Sequence, residues 1–256
     1  MEKENAVIVN NFSFWYGAFK ALNHVSLDVP TNEITALIGP SGCGKSTLLK
    51  CMNRINENQG IVSHQGAITI FGHDIYHPLA SLPEIRRQVG MVFQKPNPLP
   101  LSIYENIVFG LKTHYSRREL SKSLLDEKVE QSLKEVGMWD EVKDRLKQIA
   151  TSLSLEKQQK LCIARLLPLK PKLILLDEPC SALDPQGTKA IEDLIQSLKK
   201  QYSILMVTHS MAQARRSSDR TIFMFMGEVV EAGRTEQIFS NAKEIRTTHY
   251  IEGRFG

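Results

Sequence analysis

Apolar positions along the chain change their period several times, and each change marks an element. VIVNNFSFWYG and ALNHVSLDVP near the N-terminus contain the alternation of half-buried strands. EITALIG, AITIFG and VGMVFQ (89–94) are short apolar runs, and the same kind of run returns in KLILLDEP (172–179), YSILMVTHS (202–210) and TIFMFMG (221–227). Runs this short and this apolar read as strands buried on both faces. Between them the period lengthens. Leu48, Leu49, Met52 and Ile55 in STLLKCMNRI share one helical face, as do Ile191, Leu194, Ile195 and Leu198 in TKAIEDLIQSLKK. From Ser121 to Gly137, Leu125, Val129, Leu133 and Val136 also recur at helical spacing. KPNPLPLSIYENI carries three prolines within six residues, a poor setting for a regular element. The segment from 95 to 160 therefore reads as a helical insertion in an α/β fold whose strands alternate with helices and form a parallel, doubly covered sheet.

Composition narrows the class without naming it. A hydrophobic content of 42% and 23% charged residues are ordinary for a globular chain, and 256 residues suffice for a sizeable core. The net charge of +4 suits an anionic ligand but does not by itself point to nucleic acid, and no nucleic-acid partner is expected. No apolar stretch approaches the ~20 residues needed to span a bilayer, and MEKENAVIVN lacks a signal-peptide pattern, so the expected location is cytoplasmic. Cys43, Cys51, Cys162 and Cys180 have no CxxC spacing, which argues for inert thiols rather than a zinc site or a disulfide framework.

Chemistry enters with GPSGCGKST (39–47), which satisfies G-x-x-x-x-G-K-[ST] between an expected strand and an expected helix. Gly39, Gly42 and Gly44 let the backbone curl so that N–H groups converge, and Pro40, Ser41, Cys43 and Thr47 complete the phosphate cradle. Lys45 is expected to reach the β- and γ-phosphates, and the Ser46 hydroxyl to ligate Mg²⁺. Asp177 and Glu178 follow a buried run, at the strand end where α/β sheets bind ligands. Asp177 is then a second Mg²⁺ contact, and Glu178 a general base for the attacking water. His209, at the end of another such run, is placed to reach the γ-phosphate.

GPSGCGKST, Gln94, LLDEP, SALDP (181–185) and His209 resemble, in order and spacing, the ATP-binding subunits of ABC transporters. FWYGAFKAL, VGMVFQKPNPLPLSIYENIVFGL, LCIAR and the terminal YIEGRFG look more narrowly like the ATPase subunit of bacterial inorganic-phosphate importers, with polar amino-acid importers the nearest rival. The resemblance implies a P-loop NTPase with a RecA-like core (1–94 and 161–256), an antiparallel β subdomain and a helical subdomain (95–160). It implies ATP and Mg²⁺ as cofactors, with Tyr16, or failing it Trp15, stacked on adenine. It also implies that Gln94 contacts Mg²⁺ or the attacking water and links the site to the helical subdomain. The implied partners are two transmembrane permease subunits, a second ATPase subunit and, indirectly, a periplasmic phosphate-binding protein. The implied location is the cytoplasmic face of the bacterial inner membrane. Two ATPases would sandwich two ATP molecules head to tail, with Asp184 at their interface.

One stretch departs from the family. Where members carry LSGGQ, whose serine and glycine N–H groups complete the partner's ATP site, this chain reads LSLEK (153–157). Leu153 and Ser154 remain, and side chains at Leu155 and Glu156 stand where backbone has to come close. A Glu156 carboxylate about 5 Å from a phosphate charge would cost about 3 kcal/mol at an effective dielectric near 20. Lys157 is the residue expected to oppose that repulsion. Two function classes besides transport share these motifs. A non-transport ABC ATPase ordinarily brings coiled-coil insertions or a second cassette, and an ATP-binding regulatory protein would tolerate the altered LSLEK.

Overall fold

The computed structural model describes residues 4–254; Phe255 and Gly256 of the terminal YIEGRFG stretch lie outside the described residues. Two sheets and a set of helices build one body. β1 (Asn5–Tyr16) and β2 (Phe19–Pro30) form a long antiparallel hairpin. β4 (Val62–Ile70) and β5 (His73–Asp74) extend it to a four-stranded sheet of order β2-β1-β4-β5. The second sheet has six strands in the order β10-β9-β3-β8-β7-β6. Its members are β3 (Ile34–Ile38), β6 (Val89–Val92), β7 (Leu173–Asp177), β8 (Ser203–Val207), β9 (Arg220–Phe225) and β10 (Glu228–Arg234). All pairs in it are parallel except the β9–β10 hairpin.

The apolar runs of β3, β7 and β8 are buried at every residue because both faces of the sheet are covered. Their side chains divide with period two. Leu173, Leu175, Leu205 and Val207 join Phe12, Phe14 and Leu22 in a core beneath the antiparallel sheet. Ile174, Leu176, Ile204 and Met206 join a second core on the opposite face, under the helices.

Helix α1 (Lys45–Cys51) follows β3, and α2 (Leu82–Gln88) leads directly into β6. The region between β6 and β7 holds α3 (Ile103–His114), α4 (Lys122–Glu135), α5 (Trp139–Val142) and α6 (Leu155–Ala164). The boundary expected between 160 and 161 falls inside α6, and the buried residues of α3, α4 and α6 share one core with the sheet. Helix α3 begins directly after the proline cluster. The Ser102 hydroxyl accepts the Glu105 N–H and closes the first turn, so the prolines end before the helix starts. The C-terminal part adds α7 (Pro185–Leu198), α8 (Met211–Ser217), α9 (Thr235–Ser240) and α10 (Ile245–Ile251). Among the described residues, no helix is long and apolar enough to cross a membrane. All four cysteines are free and buried.

Candidate nucleotide site

The loop from Gly39 to Gly44 joins β3 to α1, and its backbone explains its glycines. A Cβ on Gly39 (φ 151°) would sit 2.2 Å from the Met224 carbonyl oxygen. Gly44 (φ 103°) occupies the N-cap of α1, where a Cβ would meet the Ala21 carbonyl at 3.0 Å. Lys45 is buried, and its ammonium donates to the carbonyls of Gly39 at 2.8 Å and Pro40 at 2.7 Å. Desolvation lowers the Lys45 pKa; the Cys43 thiol, Glu178 and Asp177 oppose that shift. Burial pushes the Cys43 thiol up in turn, against the pull of Lys45. Ser41 and Gly42 are exposed at the tip, while Ser46 and Thr47 lie half-buried in the first turn of α1.

Three strand ends converge on this loop. Asp177 closes β7, and its Oδ1 accepts the Ser46 hydroxyl at 2.7 Å. Glu178, one residue further, receives Gln94 Nε2 on Oε2 at 2.9 Å. His209 Nε2 lies 2.6 Å from the other oxygen, Oε1. A carboxylate oxygen accepts, so the His209 Nε2–H is the donor of this pair. Gln94 follows β6 and His209 follows β8, so the group sits at the carboxyl edge of the parallel sheet, where such sheets bind ligands. Glu178, Thr208 and His209 also line a cavity of about 250 Å³.

The donor set fits a hard divalent cation held together with phosphates. The Ser46 hydroxyl and Asp177 carboxylate are already 2.7 Å apart, and oxygen is the ligand Mg²⁺ prefers. Among the described residues there is no group of three His, Cys, Asp or Glu that would cage a metal unaided. That agrees with Mg²⁺ sites built from one or two protein ligands plus substrate phosphates.

Tyr16 is carried elsewhere, at the end of β1 on the antiparallel sheet. It is half-buried, with its ring edge-on to Phe14 at 5.1 Å. Trp15 has Lys20 Nζ over its ring at 5.1 Å, so a cation already occupies one of its faces.

LSLEK lies where the second half of a shared site is expected, at the start of α6. Ser154 is the N-cap, with a long 3.5 Å hydrogen bond from the Lys157 N–H. Leu155 is 50% exposed. The charges are paired differently from the sequence expectation. Lys160, one turn on, holds Glu156 at 2.6 Å, while Lys157 reaches away to Glu141 at 2.5 Å and lowers that carboxyl's pKa. Glu156 is thus compensated from its own helix, and Lys157 is not the residue that does it. The repulsion estimated for a bare carboxylate is correspondingly reduced.

Helix α6 also grips the segment that carries Gln94. Buried Gln159 donates to the Phe93 carbonyl at 3.4 Å. Arg165 donates to the Asn97 carbonyl at 3.1 Å and to its side-chain oxygen at 3.3 Å. Asn97 and Arg165 were missed in the sequence because a contact 68 positions apart leaves no local pattern.

Residues 22–181 match the family model described as ABC transporter, a stretch that includes the loop, Gln94, Ser154, Asp177 and Glu178. The chain belongs to the ABC transporter family. Tyr16, Asp184 and His209 fall outside the matched residues. Among solved structures the ABC chain is similar to CbiO1 from Clostridium perfringens, described as part of the ABC transporter complex CbiONQ. Identity is 26% over 98% of this chain and 97% of that one, with a TM-score of 0.80. It also shares its fold with a bacterial Atm1-family ABC exporter with ATP bound, at 22% identity and a TM-score of 0.79 over 43% of the exporter's length. The ABC-type P-loop ATPase fold, with its mixed sheets and helices, is common to all three.

Proposed function

We propose that this ABC transporter ATPase subunit energises the import of inorganic phosphate from the cytoplasmic face of the bacterial inner membrane. Its partners in this reading are two transmembrane permease subunits and a second ATPase subunit, and a periplasmic phosphate-binding protein delivers the solute. The observation that carries the ATPase half is the grip of Gln94 and His209 on both oxygens of Glu178, beside the Ser46–Asp177 pair. The importer half is supported by QKPNP and SIYENI in the sequence and by the likeness to CbiO1, whose complex is a transporter.

Each residue has a part. The N–H groups of the loop and the Lys45 ammonium would bind the β- and γ-phosphates, with Lys45 exchanging its carbonyl partners for phosphate oxygens. Tyr16 would stack on the adenine. Ser46, Asp177 and Gln94 would hold Mg²⁺, which neutralises phosphate charge when bound. Glu178, oriented from two sides, would take the proton of the attacking water, and His209 would stand by the γ-phosphate.

LSLEK favours a second element of the reading, an asymmetric pair. This chain carries every residue expected on its own side of the site, while its altered stretch would serve a partner's ATP poorly. Ser154 would still face that ATP. A partner with an intact LSGGQ would complete the site described above.

Co-purification from membranes tests the solute: permease subunits whose ATPase activity rises with a phosphate-loaded binding protein are expected, and amino-acid permeases in their place would end the phosphate reading. The pair is tested by mixing. Hydrolysis should be slow for the chain alone and rise with an intact paralogue or on combining Leu155→Gly with Glu156→Gly. Brisk cooperative hydrolysis by the unaltered chain alone would remove the asymmetry.

A further inference from the structure

His209 has a part in the chemistry above, yet burial does not hold its ring. The side chain is 39% exposed and stands two residues past the end of β8. Its direction is set by the backbone on either side. The Ser210 N–H donates back to the Thr208 hydroxyl oxygen at 3.1 Å, a short turn that bends the chain around His209. The Thr208 hydroxyl in turn donates to the Gln213 side-chain oxygen at 2.6 Å, and both of these residues are buried.

Ser210 is also the N-cap of α8, where its hydroxyl accepts the Gln213 N–H at 3.2 Å. Ser210 and Gln213 thus form an S-x-x-Q helix start, in which the glutamine side chain ordinarily returns to the N-cap N–H. Here Thr208 takes that N–H, and Gln213 grips Thr208 instead. The ring of bonds is larger than the usual one, and His209 is the residue it encloses. Helix α8 is itself anchored on α7. Arg216 bonds both oxygens of Glu192, at 2.8 and 3.3 Å, and Gln196 Nε2 donates to the Ser217 carbonyl at 2.9 Å. Thr208, Ser210 and Gln213 line the same cavity as His209 and Glu178, so the support and the supported pair face one space.

We propose that Gln213 is a positioning residue for hydrolysis: by holding the Thr208 hydroxyl it sets the bend at His209, and with it the approach of Nε2 to Glu178. A residue four positions along the chain from His209, on the next helix, thereby orients the base without touching ATP. This inference rests on the reading of Glu178 as the base and His209 as its neighbour at the γ-phosphate.

Gln213→Met in the full chain keeps the length of the side chain and removes its amide. Single-turnover hydrolysis, with the chain in excess over ATP, should slow about ten-fold, the worth of one buried hydrogen bond, at unchanged ATP Kd. In ¹⁵N-edited spectra the His209 ring signals, identified as those lost in His209→Ala, should move. Thr208→Val should act in the same direction, and adding Gln213→Met to it should cost little more, because both remove one bond. Unmoved His209 signals, or ATP binding lost in step with turnover, would overturn the positioning role. A parent chain that binds ATP but hydrolyses none even in a single turnover would instead remove the catalytic reading of Glu178, and this inference with it.

Discussion

Glu178 holds a left-handed backbone conformation, φ 48°, that a residue with a Cβ adopts at a cost on the order of 1 kcal/mol. The conformation is held by its own N–H, which donates to the Val207 carbonyl at 3.0 Å, and by Gln94 and His209 on its two oxygens. Strain maintained from three sides is the mark of a group whose direction matters more than its comfort. Replacing Glu178 with Gln keeps the shape and removes the base. Hydrolysis should then fall about 10²–10⁴-fold, while an equilibrium titration still shows ATP bound. Loss of binding in parallel with turnover would place Glu178 in the scaffold instead. The charges of LSLEK are a second lesson at this scale. Glu156 and Lys160 stand four apart, Glu before Lys, a pairing readable in any helix. The Lys157–Glu141 pair joins separate elements, so the sequence alone pointed Lys157 toward the wrong duty.

Among elements, those that spell their own environment were legible. β3, β7 and β8 are apolar throughout because they are covered on both faces, and the phosphate loop is legible because it is contiguous. β10 was missed: EVVEAGR is half-exposed, and what makes it a strand is antiparallel pairing with β9 across the Met226–Gly227 turn. Helix α3 was hidden by the prolines, although Ser102 and Glu105 form the S-x-x-E signature of a helix start. Helix starts also separate two caps that look alike in sequence. Asp184 accepts the Gly187 N–H at 2.7 Å to open α7, whereas Ser154 makes its bond to Lys157 at 3.5 Å. Asp184→Ala should cost about 1 kcal/mol of stability by urea titration, and Ser154→Ala distinctly less. Equal costs would contradict the difference in geometry.

At the scale of the whole molecule, buried thiols make the fold sensitive to alkali. Burial raises Cys51 to about 12 and Cys180 to about 11. A folded pKa above the unfolded one means that the protonated thiol's contribution is complete below pH 9. It is then lost as pH climbs through the folded value. Between pH 9 and 11 Cys180 should therefore forfeit stability on the order of 2–3 kcal/mol. The gap between urea midpoints measured at both ends should narrow in Cys180→Ala, with the remainder owed to Cys51, and an undiminished alkaline loss in that variant would show that Cys180 does not contribute.

Besides their shared core, the two sheets are tied by backbone hydrogen bonds at one joint. The Asn23 N–H of β2 donates to the Gly227 carbonyl at 2.8 Å, and the Gly227 N–H donates to the Cys43 carbonyl at 2.9 Å. A Cβ on Gly227 would come within 2.9 Å of the Ala21 carbonyl, so no side chain can be wedged between the parts. The sheet that carries Tyr16 and the loop that carries Lys45 are thus the two jaws of a caliper, with the β9–β10 turn as its rivet. Three short pieces of chain make the joint, around Asn23, Cys43 and Gly227, the last far along the chain from the other two, and in the proposed reading a nucleotide would reach across it from Tyr16 to Lys45.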